Sequence, residues 1–222
     1  MIKHNPNTEK LWNNLLFSWN RTLLNSPFYV DKIMKVSDFI QNYSGNFLDI
    51  GMGVGNLEKE IIKRNIKLAL YGVDISSKAI DKVKSEIKGN FYVSEIYKMP
   101  FKSRLFDVVA ILDVLEHIYK KDTQKALKEV NRIMKRNSGL VISVPINENL
   151  SKLNRERVNF NQHVREYTSE ILTKELNKSG FEVKKEISIY AFKKFYKIKT
   201  FAIKFLPGFK KPNLLVLFCI KK

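Results

Sequence analysis

Asn46-Phe47-Leu48-Asp49-Ile50-Gly51-Met52-Gly53-Val54-Gly55 is the stretch that decides the fold of this chain. A short run suited to a buried strand passes into glycines at alternate positions, and Leu57 to Arg64 then reads as a helix. Glycines so placed let the chain turn sharply and let a ligand touch the backbone. The helix that follows points its N-terminal amides at the same spot. A second strand, Lys67 to Val73, ends at Asp74, where a carboxylate can accept hydrogen bonds from two vicinal ribose hydroxyls. A structural glycine turn with a helix-capping Asp74 is the competing reading. Turn and acid together favour an adenosine-containing ligand.

Outward from this turn, strands and helices alternate. Ser76 or Ser77 caps a helix running to Ile87, and Phe91 to Val93 is a third strand. Phe106 to Leu112, almost wholly apolar, is a fourth, and Asp122 caps a helix through Met134. Gly139 to Val144 is a fifth strand, stopped by Pro145. Thr168 or Ser169 starts a helix through Lys178, and strands follow at Phe181 to Ile189 and Leu214 to Ile220. Inner strands apolar on both faces describe a doubly wound α/β sheet, mainly parallel and covered on each side. The last two strands lack a clear crossover helix of ordinary length, which leaves room for them to pair antiparallel. Residues 1–45 read as a helical extension, with helices near Leu11 to Leu24 and Val30 to Ile40 separated by Pro27; residues 46–222 read as the main domain.

Composition bounds the rest. With 44% hydrophobic and 28% charged residues the chain is of globular type. No run nears the roughly 18 apolar residues of a membrane span, and the polar N-terminus lacks the apolar core of a signal peptide. A single cysteine, Cys219, excludes an internal disulfide and fits a reducing cytoplasm. The net charge is +18, mostly from lysine, and could attract RNA or an anionic membrane surface; a general compositional bias or solubility is the favoured reading. Nothing marks an obligate protein partner.

The dinucleotide pattern G-x-G-x-x-G fails here: counted from Gly51 it meets Asn56, and counted from Gly53 it meets Glu58. Asp49 beside the turn repels a pyrophosphate but suits an ammonium group. S-adenosylmethionine carries an ammonium and no phosphate.

Phe47 to Gly55 resembles the first motif of class I S-adenosylmethionine-dependent methyltransferases of the type 11 kind. Tyr71-Gly72-Val73-Asp74-Ile75-Ser76 resembles their second motif. Met99-Pro100-Phe101 with Phe106-Asp107-Val108-Val109 resembles the passage between their third and fourth strands, and Leu112-Asp113-Val114-Leu115-Glu116-His117-Ile118 their fourth motif. The likeness covers about residues 45–190. It implies a Rossmann-like seven-stranded mixed sheet with the last strand antiparallel, S-adenosylmethionine as methyl donor and S-adenosylhomocysteine as product. It also implies that Asp49, Gly51, Gly53 and Gly55 surround the methionine part, that Asp74 holds the ribose, and that Ile75 packs on the adenine. Glu95, where the family usually has Asp, would accept from the adenine amino group beside Ile96; Leu112 and Asp113 would touch the methionine end.

Methyl transfer from a sulfonium needs alignment and water exclusion, and a base only where the acceptor must lose a proton. Candidates are His117, His163, Glu166 and Tyr167, the last three in a cap segment of about residues 146–167 at the carboxyl edge of the sheet. Asp113, Glu116 and His117 would share a face if a helical turn begins there, and His163 could join them around Mg²⁺, Mn²⁺ or Fe²⁺. Asp113 and Ile118 depart from the ligand string of metal-using relatives, so the chain is read as metal-free. Residues 191–212 read as a basic insertion in which Ile198, Phe201, Ala202 and Phe205 share a helical face opposite Lys193, Lys197 and Lys204; packing of that face against the domain is favoured over a membrane contact. The expected acceptor is a small molecule or lipid precursor. RNA methylation, with metal-assisted transfer to a 2′-hydroxyl as one form of it, and non-catalytic binding of S-adenosylmethionine are the alternatives; an NAD-dependent oxidoreductase ranks below them.

Overall fold

Strands β1 (Gly45–Ile50), β2 (Leu68–Asp74), β3 (Asn90–Val93), β4 (Phe106–Leu112), β5 (Met134–Pro145), β6 (Phe181–Ile189) and β7 (Leu214–Lys221) form one sheet in the order β3-β2-β1-β4-β5-β7-β6. Every neighbouring pair is parallel except those of β7, which runs antiparallel to both β5 and β6. The computed structural model describes residues 6–156, 159, 162–192, 194–203, 205–206, 208 and 210–222, without the side chains of 17–24. Lys193 and Lys204, and positions 157, 158, 160 and 161 of the cap segment, lie outside the described residues.

The described helices are α1 (Glu9–Leu24), α2 (Pro27–Ile40), α3 (Asn56–Lys63), α4 (Ser77–Glu86), α5 (Lys120–Ile133), α6 (Leu150–Arg155), α7 (Ser169–Lys178) and α8 (Tyr196–Ala202), with a 3-10 turn at Leu115–His117. Alternate residues of each inner strand point to opposite faces. From β1, Leu48 and Ile50 join a core layer with Leu127 and Val130 of α5 and Leu172 and Leu176 of α7. Phe47 joins the opposite layer with Val36 and Ile40 of α2, Leu57 of α3 and Ile80 of α4. The strand order reverses at β1, with β2 on one side and β4 on the other, and the crevice beyond the carboxyl ends of these parallel strands is where ligands bind in open α/β sheets.

Local chemistry fixes the starts of α2, α4 and α7. Pro27 opens α2, where its preset φ costs nothing. Of the two capping pairs, Ser76 and Thr168 serve: their hydroxyls accept from the amides of Ala79 and Ile171, at 3.1 and 3.3 Å. Asp122 does not cap α5. The helix begins two residues earlier, after extended Tyr119, and Asp122 lies in its first turn, where a negative charge suits the helix dipole. β5 also begins earlier than expected, at Met134, because Met134 pairs with Phe106 before the main register at Val108↔Gly139.

The basic region departs from expectation. α8 carries no buried residue, and Ile198, Phe201 and Phe205 are 69%, 62% and 70% exposed. The stripe expected to pack inward faces out. The segment is anchored by other groups: Phe192 and Ile203 are buried, and the Tyr196 hydroxyl donates to Asp31 Oδ2 of α2 at 2.7 Å.

Candidate active site

A cavity of about 530 Å³ opens at the carboxyl ends of β1, β2 and β4, within the size range of small-molecule sites. Its floor is the glycine turn. Gly51 and Gly53 have φ of 76° and 54°, in the left-handed region. A Cβ on Gly51 would strike Val114 Cγ2 at 2.4 Å, whereas one on Gly53 would meet nothing within 4 Å. Gly53 therefore leaves a gap beside its backbone that a ligand can approach. Gly55, also expected here, does not line the cavity; it precedes α3 and faces Val83 and Ile87.

Asp74 lines the cavity and holds the turn in shape: Oδ2 accepts from the Gly53 amide at 2.9 Å and Oδ1 from the Ser76 amide at 2.8 Å. The Ile75 amide bonds the same carboxylate, which still keeps lone-pair capacity for a hydroxyl donor. Burial raises its pKa in spite of those bonds. Ile75, Glu95, Ile96, Leu112 and Asp113 line the same cavity.

Asp49 is buried at the end of β1, and its Oδ1 has no hydrogen-bond partner. Burial, with the neighbouring Glu58 carboxyl, pushes its pKa well up. Glu58, on the first turn of α3, is itself held at about 8 by burial. A buried acid with an unpartnered oxygen beside an open glycine turn is the setting an amino-acid ammonium fits.

α2 delivers Lys32 into the cavity, a residue the sequence reading passed over. Lys32 is ion-paired with Asp113, whose Oδ1 also accepts from Ser143 Oγ at 2.6 Å. Burial works against both charges, yet each ion holds the other: the Lys32 pKa stays up and that of Asp113 down. The only signal in sequence was a lysine beside the buried stripe Ile33, Val36 and Ile40. Trp12, Leu15, Leu16 and Phe28 from α1 and α2 complete an apolar wall over the cavity.

At the far end, Glu116 and His117 of the 3-10 turn meet His163. The two imidazoles lie edge to face at 4.9 Å, and Trp12 abuts His117 likewise at 4.9 Å. Burial first, then the neighbouring His163, pulls His117 down to about 3, so its ring is neutral at physiological pH. Glu148 engages His163 Nδ1 at 2.8 Å. The other two acid–base candidates sit elsewhere. Glu166 accepts from the amides of Asn149 and Leu150, at 3.0 and 3.2 Å, which are orphan donors at the start of α6. Tyr167 is buried against α5 and α7, with the Arg165 guanidinium stacked 4.4 Å from its ring centroid. Neither lines the cavity.

A sheet of this topology with a glycine turn and two strand-end acids defines a nucleoside-binding methyltransferase fold, and comparison with known proteins agrees. A family described as a methyltransferase domain matches residues 23–186. The chain belongs to this family, that of the class I S-adenosylmethionine-dependent methyltransferases. It is 29% identical over 96 residues to a demethylmenaquinone methyltransferase of Thermotoga maritima, covering 43% of this chain and 41% of that one. It is 31% identical over 154 residues to an uncharacterized protein of Methanocaldococcus jannaschii, covering 68% of this chain and 61% of that one. The matched region thus spans about half the length of these relatives. Among solved structures, a possible histamine N-methyltransferase of Thermotoga maritima superposes with a TM-score of 0.72 at 19% identity, covering 96% of this chain and 99% of that one. Magnesium protoporphyrin IX methyltransferase of Synechocystis with bound S-adenosylhomocysteine gives 0.70 at 16% identity, covering 96% and 97%.

Proposed function

We propose that this chain catalyses methyl transfer from S-adenosylmethionine to a small-molecule or lipid-precursor acceptor held beneath α1 and α2. The observation that carries this reading is the pairing of the open backbone at Gly53 with the unpartnered Oδ1 of buried Asp49 in one cavity. Asp49 takes the ammonium of the donor, Asp74 the ribose hydroxyls, and Ile75, Glu95 and Ile96 the adenine side. S-adenosylmethionine, when bound, supplies a methyl group on an already activated leaving group. The protein's part is to align and to exclude water. Lys32 and Asp113 fix α2 over the cavity, and the wall of Trp12, Leu15, Leu16 and Phe28 keeps it dry. His117 and His163 face the acceptor end. An apolar wall of this kind favours a compact acceptor over a nucleic-acid strand. The outward stripe of α8, with Lys194, Lys197 and Lys199 around it and no acid from Ile187 to Lys222, favours delivery from an anionic bilayer.

Calorimetry with S-adenosylmethionine, S-adenosylhomocysteine and NAD tests the donor. Binding of the first two and not the third is expected; preference for NAD overturns the reading. Transfer of a labelled methyl group to fractionated cell extract then identifies the acceptor.

A further inference from the structure

Three polar side chains, Glu116 and His163 buried and His117 half-buried, meet at one end of the cavity with part of their hydrogen-bonding capacity unspent. Glu116 is fully buried, and neither carboxylate oxygen has a hydrogen-bond partner. His117 Nδ1 is buried without one too. His163 spends Nδ1 on Glu148 and leaves Nε2 4.0 Å from Glu116 Oε1, beyond hydrogen-bond reach. One ligand atom from each of Glu116, His117 and His163 falls within 4.8 Å of the others.

Buried polar groups without partners are rare, and each costs about 1–3 kcal/mol. A proton on Glu116 would supply one donor and leave the imidazole nitrogens unused. An imidazolium at His163 would stand too far from Glu116 to bond it. A single cation between the three answers all of them. The surroundings fit as well. Glu148 on Nδ1 of His163 fixes the tautomer whose lone pair is on Nε2, the support that metal-bound imidazoles regularly receive from a carboxylate. The His117 ring is likewise hydrogen-bonded to the Gln162 backbone.

We propose that Glu116, His117 and His163 bind one divalent first-row transition ion, with the open coordination positions facing the cavity. Two imidazoles and one carboxylate suit Mn²⁺, Fe²⁺ or Zn²⁺ better than Mg²⁺, which prefers oxygen ligands throughout. Asp113, which sequence placed in the cluster, is not a ligand: its carboxylate is committed to Lys32 and Ser143.

This inference rests on the methyl-transfer reading and narrows its acceptor to a hydroxyl compound. A cation at this point lowers the pKa of an acceptor hydroxyl. The hydroxyl proton leaves to solvent, the oxygen forms the new O–C bond, and the S–C bond breaks with its electron pair staying on sulfur as the thioether. No oxidant or reductant is required.

The test begins with protein stripped by EDTA and titrated with Mn²⁺, free ion being read by electron paramagnetic resonance. One saturable site is expected, with spin-echo modulation from imidazole nitrogen in the wild-type protein. Glu116→Gln should abolish it, and Glu148→Gln, outside the coordination sphere, should weaken it about 10–100-fold. No saturable Mn²⁺ site, a bound ion without nitrogen modulation, or wild-type affinity in Glu116→Gln overturns the proposal. The nitrogen signal needs no variant and so survives a folding failure. S-adenosylhomocysteine binding by the stripped protein separates the two claims: if it persists while Mn²⁺ fails to bind, only the metal site falls; if it is absent, the methyl-transfer reading falls as well.

Discussion

Lys32 of α2 and Asp113 at the end of β4 form a buried ion pair that ties the N-terminal helices to the carboxyl edge of the sheet. Removing one member of such a pair leaves the other uncompensated. Lys32→Met is expected to cost about 1–3 kcal/mol, below the full buried-pair value because Asp113 is 35% exposed. The double variant Lys32→Met/Asp113→Asn should recover part of that loss. Denaturant melts of the three variants measure it, and additive losses in the double variant would show that the two residues are not coupled.

Glu58 gives a pH dependence with a definite sign. Its carboxyl ordinarily titrates near 4.5, and burial holds it at about 8 in the fold. The folded protein therefore binds this proton more tightly than the unfolded chain. Stability from this group is full below the unfolded value and is lost as pH rises toward 8. Glu58→Gln keeps the shape and removes the titration. The stability gap between variant and wild type should widen by up to about 5 kcal/mol between pH 4 and pH 9, in favour of the variant. A gap that stays constant with pH would refute the assignment.

Asp74 is predicted to dominate donor affinity. Its carboxylate both shapes the turn through the Gly53 amide and offers free lone pairs to the cavity. Losing hydrogen bonds to a charged group costs about 1.5–3 kcal/mol, so Asp74→Ala should raise the Kd for S-adenosylmethionine roughly 10–100-fold. Glu95→Ala, on an exposed side chain, should cost less. Equal effects at both positions would argue that ribose contacts do not carry the affinity.

How much of this was legible beforehand follows from where the information lies. The turn at Gly51 and Gly53 and the strand-end Asp74 are local, and sequence placed them on the cavity because backbone geometry and strand length dictate their position. Lys32 and Glu58 escaped notice because each acquires its role from a partner brought in by tertiary packing: Asp113 lies 81 residues from Lys32. Sequence spacing grouped Asp113 with Glu116 and His117, but Lys32 captures Asp113. The exposure of α8 was not legible because an amphipathic stripe reads the same whether it packs or faces water.

Glu166 offers a control on the acid–base candidates. It bonds the first amides of α6 and lies outside the cavity. Glu166→Ala should cost about 1 kcal/mol of stability through the lost cap and leave S-adenosylmethionine affinity unchanged. A fall in turnover at constant stability and constant affinity would instead give Glu166 a chemical role.

The outward face of α8 has the chemistry of an interfacial helix. Ile198, Phe201 and Phe205 are exposed, Phe201 and Phe205 stack edge to face at 5.3 Å, and the surrounding charges are lysines. Apolar side chains on such a face enter the headgroup region while cations draw the protein to anionic lipid. Ala191 and Asn213, which flank the basic segment in sequence, line the cavity. Co-sedimentation with vesicles of anionic lipid at low salt is expected, with neutral vesicles binding less. Ile198→Ser/Phe201→Ser alters only exposed side chains and should fold normally while losing most of the binding. Since surface attraction decays over a Debye length of about 10 Å at 0.1 M salt, raising the salt should weaken the wild-type interaction as well. Absence of binding to anionic vesicles at low salt rules out the bilayer as the source of the acceptor.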